Sequence, residues 1–309
     1  MAGNSSWEEP ASLGLYYDDR YRGKGVRVKS LLPGGPADTY QSPIKAGAII
    51  YSVNGKEISD QQDIYPFLNF TQGKLTRLSV LVPGEEKAQN FTLVPITLEE
   101  ESELLYEQWV EQRRALVETL SDGRLGYVHL AAMDAASFEQ MQNDMFGLEK
   151  DKLGLVVDVR FNAGGWLHDQ VMEILSGTRH SVMQTRDGYV VSSFPERRWA
   201  KPSIMLANAD SYSDGSIVPY FYQKEGLGKL VGERVPGTGT AVIWEQQQEP
   251  GLIYGVPQLG IKDEQGRWFE NQEIIPDILV YNDPESVVAG EDRQLAAAVE
   301  ALLLEISSK

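Results

Sequence analysis

The sequence predicts a protein in two parts, a small mixed domain built largely from short strands followed by a larger α/β domain. Three observations carry this expectation. At 309 residues the chain is long enough for two units on the usual scale of roughly 100–200 residues per domain. Residues 13–96 show many short apolar stretches separated by turn signals, whereas strand-like and helix-like segments alternate from residue 123 onward. The division expected from these patterns is a polar segment over 1–12, a small domain over 13–96, a linker helix over 97–122 and the α/β domain over 123–309.

In the small domain, Ser12-Leu13-Gly14-Leu15-Tyr16-Tyr17 opens the first strand and Val26-Arg27-Val28 alternates with period two. Leu31-Leu32-Pro33-Gly34-Gly35-Pro36-Ala37 reads as a turn before a short helix. Ala46 to Ile58 holds two strands around Asn54-Gly55, the strongest short hairpin signal. Asp60 to Asn69 reads as a helix, and Leu75–Val82 with Asn90–Val94 as a hairpin around Pro83-Gly84. Thr97 to Leu120 is a charged helix with Leu105, Trp109, Leu116 and Leu120 near one face.

In the larger domain, Leu125–Leu130, Leu153–Val159, Ser203–Asn208 and Lys229–Gly232 read as strands. The second of them is an almost continuous apolar run, as expected of a strand buried on both faces. Helices are expected after Gly165, from about Ser213, and over Gln294–Ile306.

Composition narrows the chemistry. The chain has no cysteine, which removes disulfides, thiolate nucleophiles and Cys-held metals. Its three histidines, His129, His168 and His180, leave little for a His-rich metal site, and no cofactor or metal is expected. With 28 Lys+Arg against 45 Asp+Glu the net charge is −17, which disfavours nucleic acid and anionic membrane as partners. No apolar run approaches the roughly 20 residues of a membrane span. Met1 to Ala11 is polar and acidic with no secretory pattern, so a cytoplasmic protein is expected.

Three segments carry candidate chemistry. Val157-Asp158-Val159-Arg160-Phe161-Asn162-Ala163-Gly164-Gly165-Trp166 takes a buried strand into a glycine turn that opens a helix, where free N–H groups can hold an oxyanion. A plain tight turn explains that segment equally simply. Asn208-Ala209-Asp210-Ser211-Tyr212-Ser213-Asp214-Gly215-Ser216 places Ser213 on a second strand-to-helix turn. It reads either as the latter half of a nucleophile elbow or as a helix N-cap. Trp268-Phe269-Glu270 presents a lone carboxylate that gains interest only beside the other two.

Taken together, VDVRFNAGG, NADSYSDGS, LGKLVGERVPGTG and FENQEIIPD stand in the order and near the spacing of a known family. The larger domain resembles the ClpP/crotonase-like α/β catalytic domain of tricorn-type serine proteases, in the wider family of C-terminal processing peptidases. The small domain resembles the PDZ domain that precedes it. The resemblance covers about residues 13–306. It implies Ser213 as nucleophile, the N–H groups of Asp214 and Gly165 as oxyanion hole, and Glu270 as the carboxylate that orients a catalytic histidine. Gly164 and Met183 are implied on the substrate side, with Met183 standing where tricorn carries an acidic S1 residue, which favours apolar P1 side chains. Leu13, Gly14 and Leu15 correspond to the loop that captures a peptide carboxylate.

Two departures stand out. The processing peptidases use a lysine base in the segment where this chain has Thr238, so the tricorn-like Ser–His–Glu arrangement fits better. That arrangement draws its histidine from a helical segment upstream of the PDZ domain, before this sequence begins. His129 is expected to be structural, His180 to lie at the surface, and His168 is a weak stand-in for the base. The expected activity is peptide or unfolded-chain hydrolysis through an acyl-enzyme, with self-association into a homo-oligomer. The alternatives are an inactive peptide- or ligand-binding module on the same fold and a scaffold using only the PDZ groove.

Overall fold

The computed structural model describes residues 8–308, and the chain divides between Glu111 and Gln112 into two units. The first contains β1 (Ala11–Ser12), β2 (Leu15–Tyr17), β3 (Val26–Leu31), β4 (Ile49–Val53), β5 (Lys56–Glu57), α1 (Tyr65–Leu68), β6 (Thr76–Leu81), β7 (Gln89–Leu93) and β8 (Ile96–Thr97). It also contains the start of α2 (Leu98–Leu120), in which the division falls.

The main sheet of this unit runs β2-β3-β4-β6-β7, all antiparallel, with β5 paired to β4 across the Asn54-Gly55 turn. Both turn residues take positive φ, 51° and 81°, as that hairpin type requires. Leu13, Val28, Ile50, Val53, Ile64, Leu68, Leu78 and Val80 fill its core. A capping box starts α2: Thr97 N donates to Glu100 at 2.8 Å and Glu100 N donates to Thr97 Oγ1 at 3.1 Å.

Two helix expectations fail here. No helix forms after Ala37; four-residue turns, closed by Asp38 N to Gly35 O and Ser42 N to Thr39 O, follow one another instead. Pro36 and Pro43 bracket that stretch and deny a helix its N–H donors. The helix expected over 60–69 shrinks to α1, with Gln61 and Phe70 in positive φ on either side.

The second unit contains β9 (Leu125–His129), α3 (Ala135–Asn143), a π-helical turn (Asp144–Leu148), β10 (Gly154–Asp158), α4 (His168–Ser176), β11 (Ser181–Gln184), β12 (Val190–Phe194) and β13 (Ser203–Ala207). There follow α5 (Asp214–Lys224), β14 (Leu230–Gly232), β15 (Ala241–Gln246), β16 (Ile253–Leu259), β17 (Ile278–Leu279), α6 (Pro284–Val288) and α7 (Arg293–Ser307). Its parallel sheet has the order β17-β14-β13-β10-β9.

Every residue of β9, β10 and β13 is buried, as the apolar runs predict. Leu155, Val157, Met205 and Ala207 pack with Val171 and Ile174 of α4 and Val218 and Tyr222 of α5. Successive strand side chains alternate sides, so Val156, Ile204 and Leu206 are buried on the opposite face, where α7 packs. The hairpins β11–β12 and β15–β16 are separate two-stranded sheets that leave Val182, Tyr189, Trp244 and Ile253 exposed. Among the described residues no helix is long and apolar enough to cross a membrane.

Candidate active site

In an open parallel sheet the loops at the carboxyl ends of the strands share one edge, which is where such folds bind ligands. Here those loops follow β9, β10, β13 and β14, and hydrogen bonds between them define the site.

The loop after β10 is anchored from below. Arg160, 2% exposed, donates to Asp158 (Nη2 to Oδ2, 2.7 Å) and to Asp292 at the start of α7 (Nη1 to Oδ1, 2.9 Å). Tyr127 adds a hydrogen bond to Asp158 at 2.9 Å. These charges are buried but mutually satisfied, the condition under which a buried ion network holds together. Burial alone would raise the Asp292 carboxyl, but the Arg160 guanidinium outweighs it and holds the group below the usual carboxylate range.

Above this anchor the loops after β10 and β13 are stitched together. Phe161 N donates to Asn208 Oδ1 (3.0 Å), Ser211 Oγ to Val159 O (2.9 Å) and Tyr212 N to Asn162 O (2.9 Å). Asn162 also donates through Nδ2 to Leu130 O at 2.6 Å and accepts Gly164 N at 2.8 Å. One buried amide thus fixes three loops, a role the sequence reading does not assign to it.

Two glycines are required by close approach. At Gly164, φ is 87° and a Cβ would lie 2.6 Å from the Cβ of Ser213. At Gly165, φ is 147° and a Cβ would lie 2.1 Å from Met133 O. Met133 brackets the turn, its N donating to Gly164 O (2.8 Å) and its O accepting Trp166 N (3.0 Å). The Gly164 N–H is spent on Asn162, so the residue serves the approach of Ser213 rather than offering a donor to a substrate. Gly165 N–H has no protein acceptor among the described residues.

Ser213 caps α5 at φ 52° and ψ −123°, a conformation that costs a non-glycine residue roughly 1–2 kcal/mol. A ring of hydrogen bonds holds it there. Ser213 N donates to Thr238 Oγ1 at 2.9 Å, Thr238 Oγ1 lies 3.3 Å from Ser216 Oγ, and Ser216 Oγ donates to Ser213 O at 2.8 Å. With the Ser216 proton committed to that carbonyl, the Thr238 hydroxyl is the donor of the middle link. Both peptide groups of Ser213 are therefore clamped. Its own Oγ has no hydrogen-bond partner among the described residues.

Asp214 divides its work. Its N–H has no protein acceptor among the described residues, like that of Gly165. Its buried carboxylate faces the start of α4, accepting Leu167 N at 2.7 Å and His168 N at 3.0 Å and meeting His168 Nδ1 at 2.5 Å. The His168 ring lies against Trp166 and Phe221, both at 5.8 Å between centroids. His168 is thus engaged in holding Asp214. His129 is buried with Nε2 2.9 Å from Arg160 O, and burial holds it below the ordinary imidazole range. His180 is exposed beside Ser181.

The third segment arrives through the loop after β14. Glu270 Oε2 accepts Thr240 N at 3.0 Å and Thr240 Oγ1 at 2.5 Å, two residues beyond Thr238. Gly237 lets the two loop segments approach, since a Cβ there would lie 2.4 Å from Gln272 O. Asn271 N donates back to Gly237 O at 2.8 Å. The stretch Thr238–Thr240 thus carries one residue bonded to Ser213 and another bonded to Glu270. Met183 lies half exposed on the β11–β12 hairpin, paired with Ser192, and no hydrogen bond or ring contact described here ties it to Ser213.

In the first unit, Leu13, Gly14 and Leu15 stand at the entry to β2 as expected, but Gly14 N–H is not free. It donates to Ser12 Oγ at 2.9 Å, and Ser12 Oγ donates in turn to the Glu101 carboxylate. The donor expected from Gly14 is therefore withdrawn from any incoming carboxylate.

Comparison with known proteins gives the family and the fold. Residues 124–280 match the model of peptidase family S41, and residues 6–68 match that of the PDZ domain. The chain is 32% identical over 293 residues to tricorn protease homolog 1 of Streptomyces coelicolor, covering 92% of this chain and 27% of that protein. It is 28% identical over 261 residues to the tricorn protease of Thermoplasma acidophilum, covering 84% of this chain and 24% of that one. The crystal structure of the tricorn protease superposes with a TM-score of 0.81 at 24% identity, over 97% of this chain and 29% of the other. The chain thus spans 24–29% of the length of these relatives. The S41 match extends from β9 to β17 and takes in Ser213, Gly165, Thr238 and Glu270: the chain belongs to peptidase family S41.

Proposed function

We propose that this chain is the PDZ and catalytic part of a tricorn-type serine peptidase that cleaves peptides or unfolded polypeptide through an acyl-enzyme on Ser213. The observation that carries the reading is the pairing of a Ser213 hydroxyl with two N–H groups, Gly165 and Asp214, all three without a hydrogen-bond partner among the described residues, on loops locked to each other.

In the proposed reaction Ser213 Oγ attacks the peptide carbonyl carbon and its proton passes to a base. The carbonyl oxygen becomes an oxyanion held by the Gly165 and Asp214 N–H groups. Each such donor is worth about 2.7–4 kcal/mol in the barrier. Collapse expels the amine, which takes the proton from the base, and water then releases the acyl group in the same way. Thr238 occupies the place of the processing peptidases' lysine and binds the Ser213 backbone, so the base is a histidine oriented by Glu270. None of the three histidines of the chain serves, and we assign that role to an upstream segment of the full-length protein. Glu270 suits it, because Thr240 engages only Oε2.

Met183 in place of an acidic residue favours apolar P1 side chains. Self-association and a cytoplasmic location complete the reading. The test is turnover of a fluorogenic peptide pair differing only in P1 Leu or Lys. The full-length gene product cleaves the Leu peptide faster, and Ser213→Ala abolishes both cleavages. Binding without turnover, unchanged by Ser213→Ala, would instead identify a binding module.

A further inference from the structure

The groove of the first unit lies between the free edge of β2, an end strand of its sheet, and α1. A cavity of about 760 Å³ opens there, lined in part by Leu15, Tyr17, Ile64, Tyr65, Glu101 and Leu105. The lining is mixed, with Asp18, Arg22, Arg27 and Lys29 beside the apolar side chains, and a sheet edge beside such a cavity is the arrangement that takes up an extended peptide as an added strand. Its usual terminal contact, a peptide carboxylate on the N–H groups of the loop before the strand, is compromised here. The capping box at Thr97 and Glu100 begins α2 so that Glu101 falls in its first turn. From there the Glu101 carboxylate accepts a hydrogen bond from Ser12, which is 4% exposed and withdraws the Gly14 N–H from the loop. A second bond, Tyr16 Oη to Gln108 Oε1 at 3.1 Å, fixes the helix beside β2. Tyr17 and Tyr65 meet edge to face across the groove at 6.2 Å. Burial pushes both hydroxyls up, and the nearby Glu101 charge adds to each.

We propose that Glu101 sets the specificity of this groove: it holds the corner a terminal carboxylate needs, so the groove binds an extended internal peptide segment and turns away a free C-terminus. Two carboxylates in one corner repel, and a site can discriminate by placing a like charge where the wrong ligand would bring its own. The same charge favours an internal segment that brings a lysine or arginine to that corner.

The inference does not depend on catalysis by Ser213, and its test is a binding measurement. Matched pools of random decapeptides, one ending in a free carboxylate and one in an amide, are captured on the chain carrying Ser213→Ala. The Glu101→Gln and Glu101→Ala forms are run in parallel. Glu101→Gln keeps a partner for Ser12 while removing the charge, and circular dichroism confirms that each variant is folded. The Glu101 form enriches the amide pool at least tenfold over the acid pool, with Lys and Arg over-represented. Both variants lose that preference by a factor of ten or more. Preference for the acid pool by the Glu101 form, an acid-to-amide ratio unchanged by either variant, or enrichment of neither pool would each overturn the proposal.

Discussion

Thr238→Val isolates the clamp on the nucleophile. Valine keeps the shape of threonine but removes both the acceptor of the Ser213 N–H, now met at 2.9 Å, and the donor toward Ser216 Oγ at 3.3 Å. An N–H left unpaired in a part-buried site costs about 1–3 kcal/mol. At about 2–4 °C per kcal/mol for a unit of roughly 200 residues, the melting temperature of the variant falls by about 2–12 °C. The functional effect reaches further, because the same bonds hold Ser213 at φ 52°. If the clamp supplies those 1–3 kcal/mol to the attack-ready conformation, losing it slows attack by about 5- to 150-fold. The assay is the second-order rate constant for labelling of Ser213 by a fluorophosphonate, with differential scanning fluorimetry alongside. Thr238→Ser, which retains the hydroxyl, restores most of the rate. A valine variant that labels as fast as the parent would refute the reasoning, whatever its melting temperature.

Other substitutions probe neighbouring parts of the account. Gly165→Ala places a Cβ 2.1 Å from Met133 O and displaces an oxyanion donor, so labelling should drop by about two orders of magnitude while circular dichroism remains that of a folded protein. Arg160→Met leaves Asp158 buried without its cation and Asp292 with only the longer pair to Arg113 at 3.6 Å, and should cost about 3–5 kcal/mol in thermal denaturation. The pH dependence has a definite sign. Asp292 titrates below its unfolded range, so its contribution is complete above about pH 4 and lost as the pH falls through the folded value. Arg160→Met removes the cause of that depression, and acid unfolding should then begin at higher pH; an unchanged acid midpoint would count against the network.

Much of this architecture is written in local pattern. The runs at Leu153–Val159 and Ser203–Asn208 could be read as buried parallel strands because they lack the alternation of a half-exposed sheet, and both are fully buried at their centres. Thr97 and Glu100 mark the start of α2 through a capping box, and Asn54-Gly55 marks its hairpin. The turns bearing Gly165 and Ser213 could be placed because each ends a buried strand and opens a helix. Less legible were features whose cause lies far along the chain. Asn162 and Thr238 look like ordinary loop residues until the fold brings Leu130 and Ser213 to them, and Ser216 looks like any first-turn serine. The hairpins β11–β12 and β15–β16 expose apolar residues and carry no clear inward face, so period-two reading passed over them. The helix expected after Ala37 failed because a glycine–proline cluster favours successive turns over a continuing helix. His168 lay close enough to the glycine turn to be considered as a base, and only the fold shows its Nδ1 committed to Asp214.

The most direct test is fluorophosphonate labelling of the full-length gene product, with the modified residue identified by peptide mass spectrometry. A single phosphonylated site is expected at Ser213, lost in Ser213→Ala and greatly slowed in Glu270→Gln. Ser213 unlabelled in the full-length protein, while its backbone stays clamped by Thr238 and Ser216, would contradict this expectation.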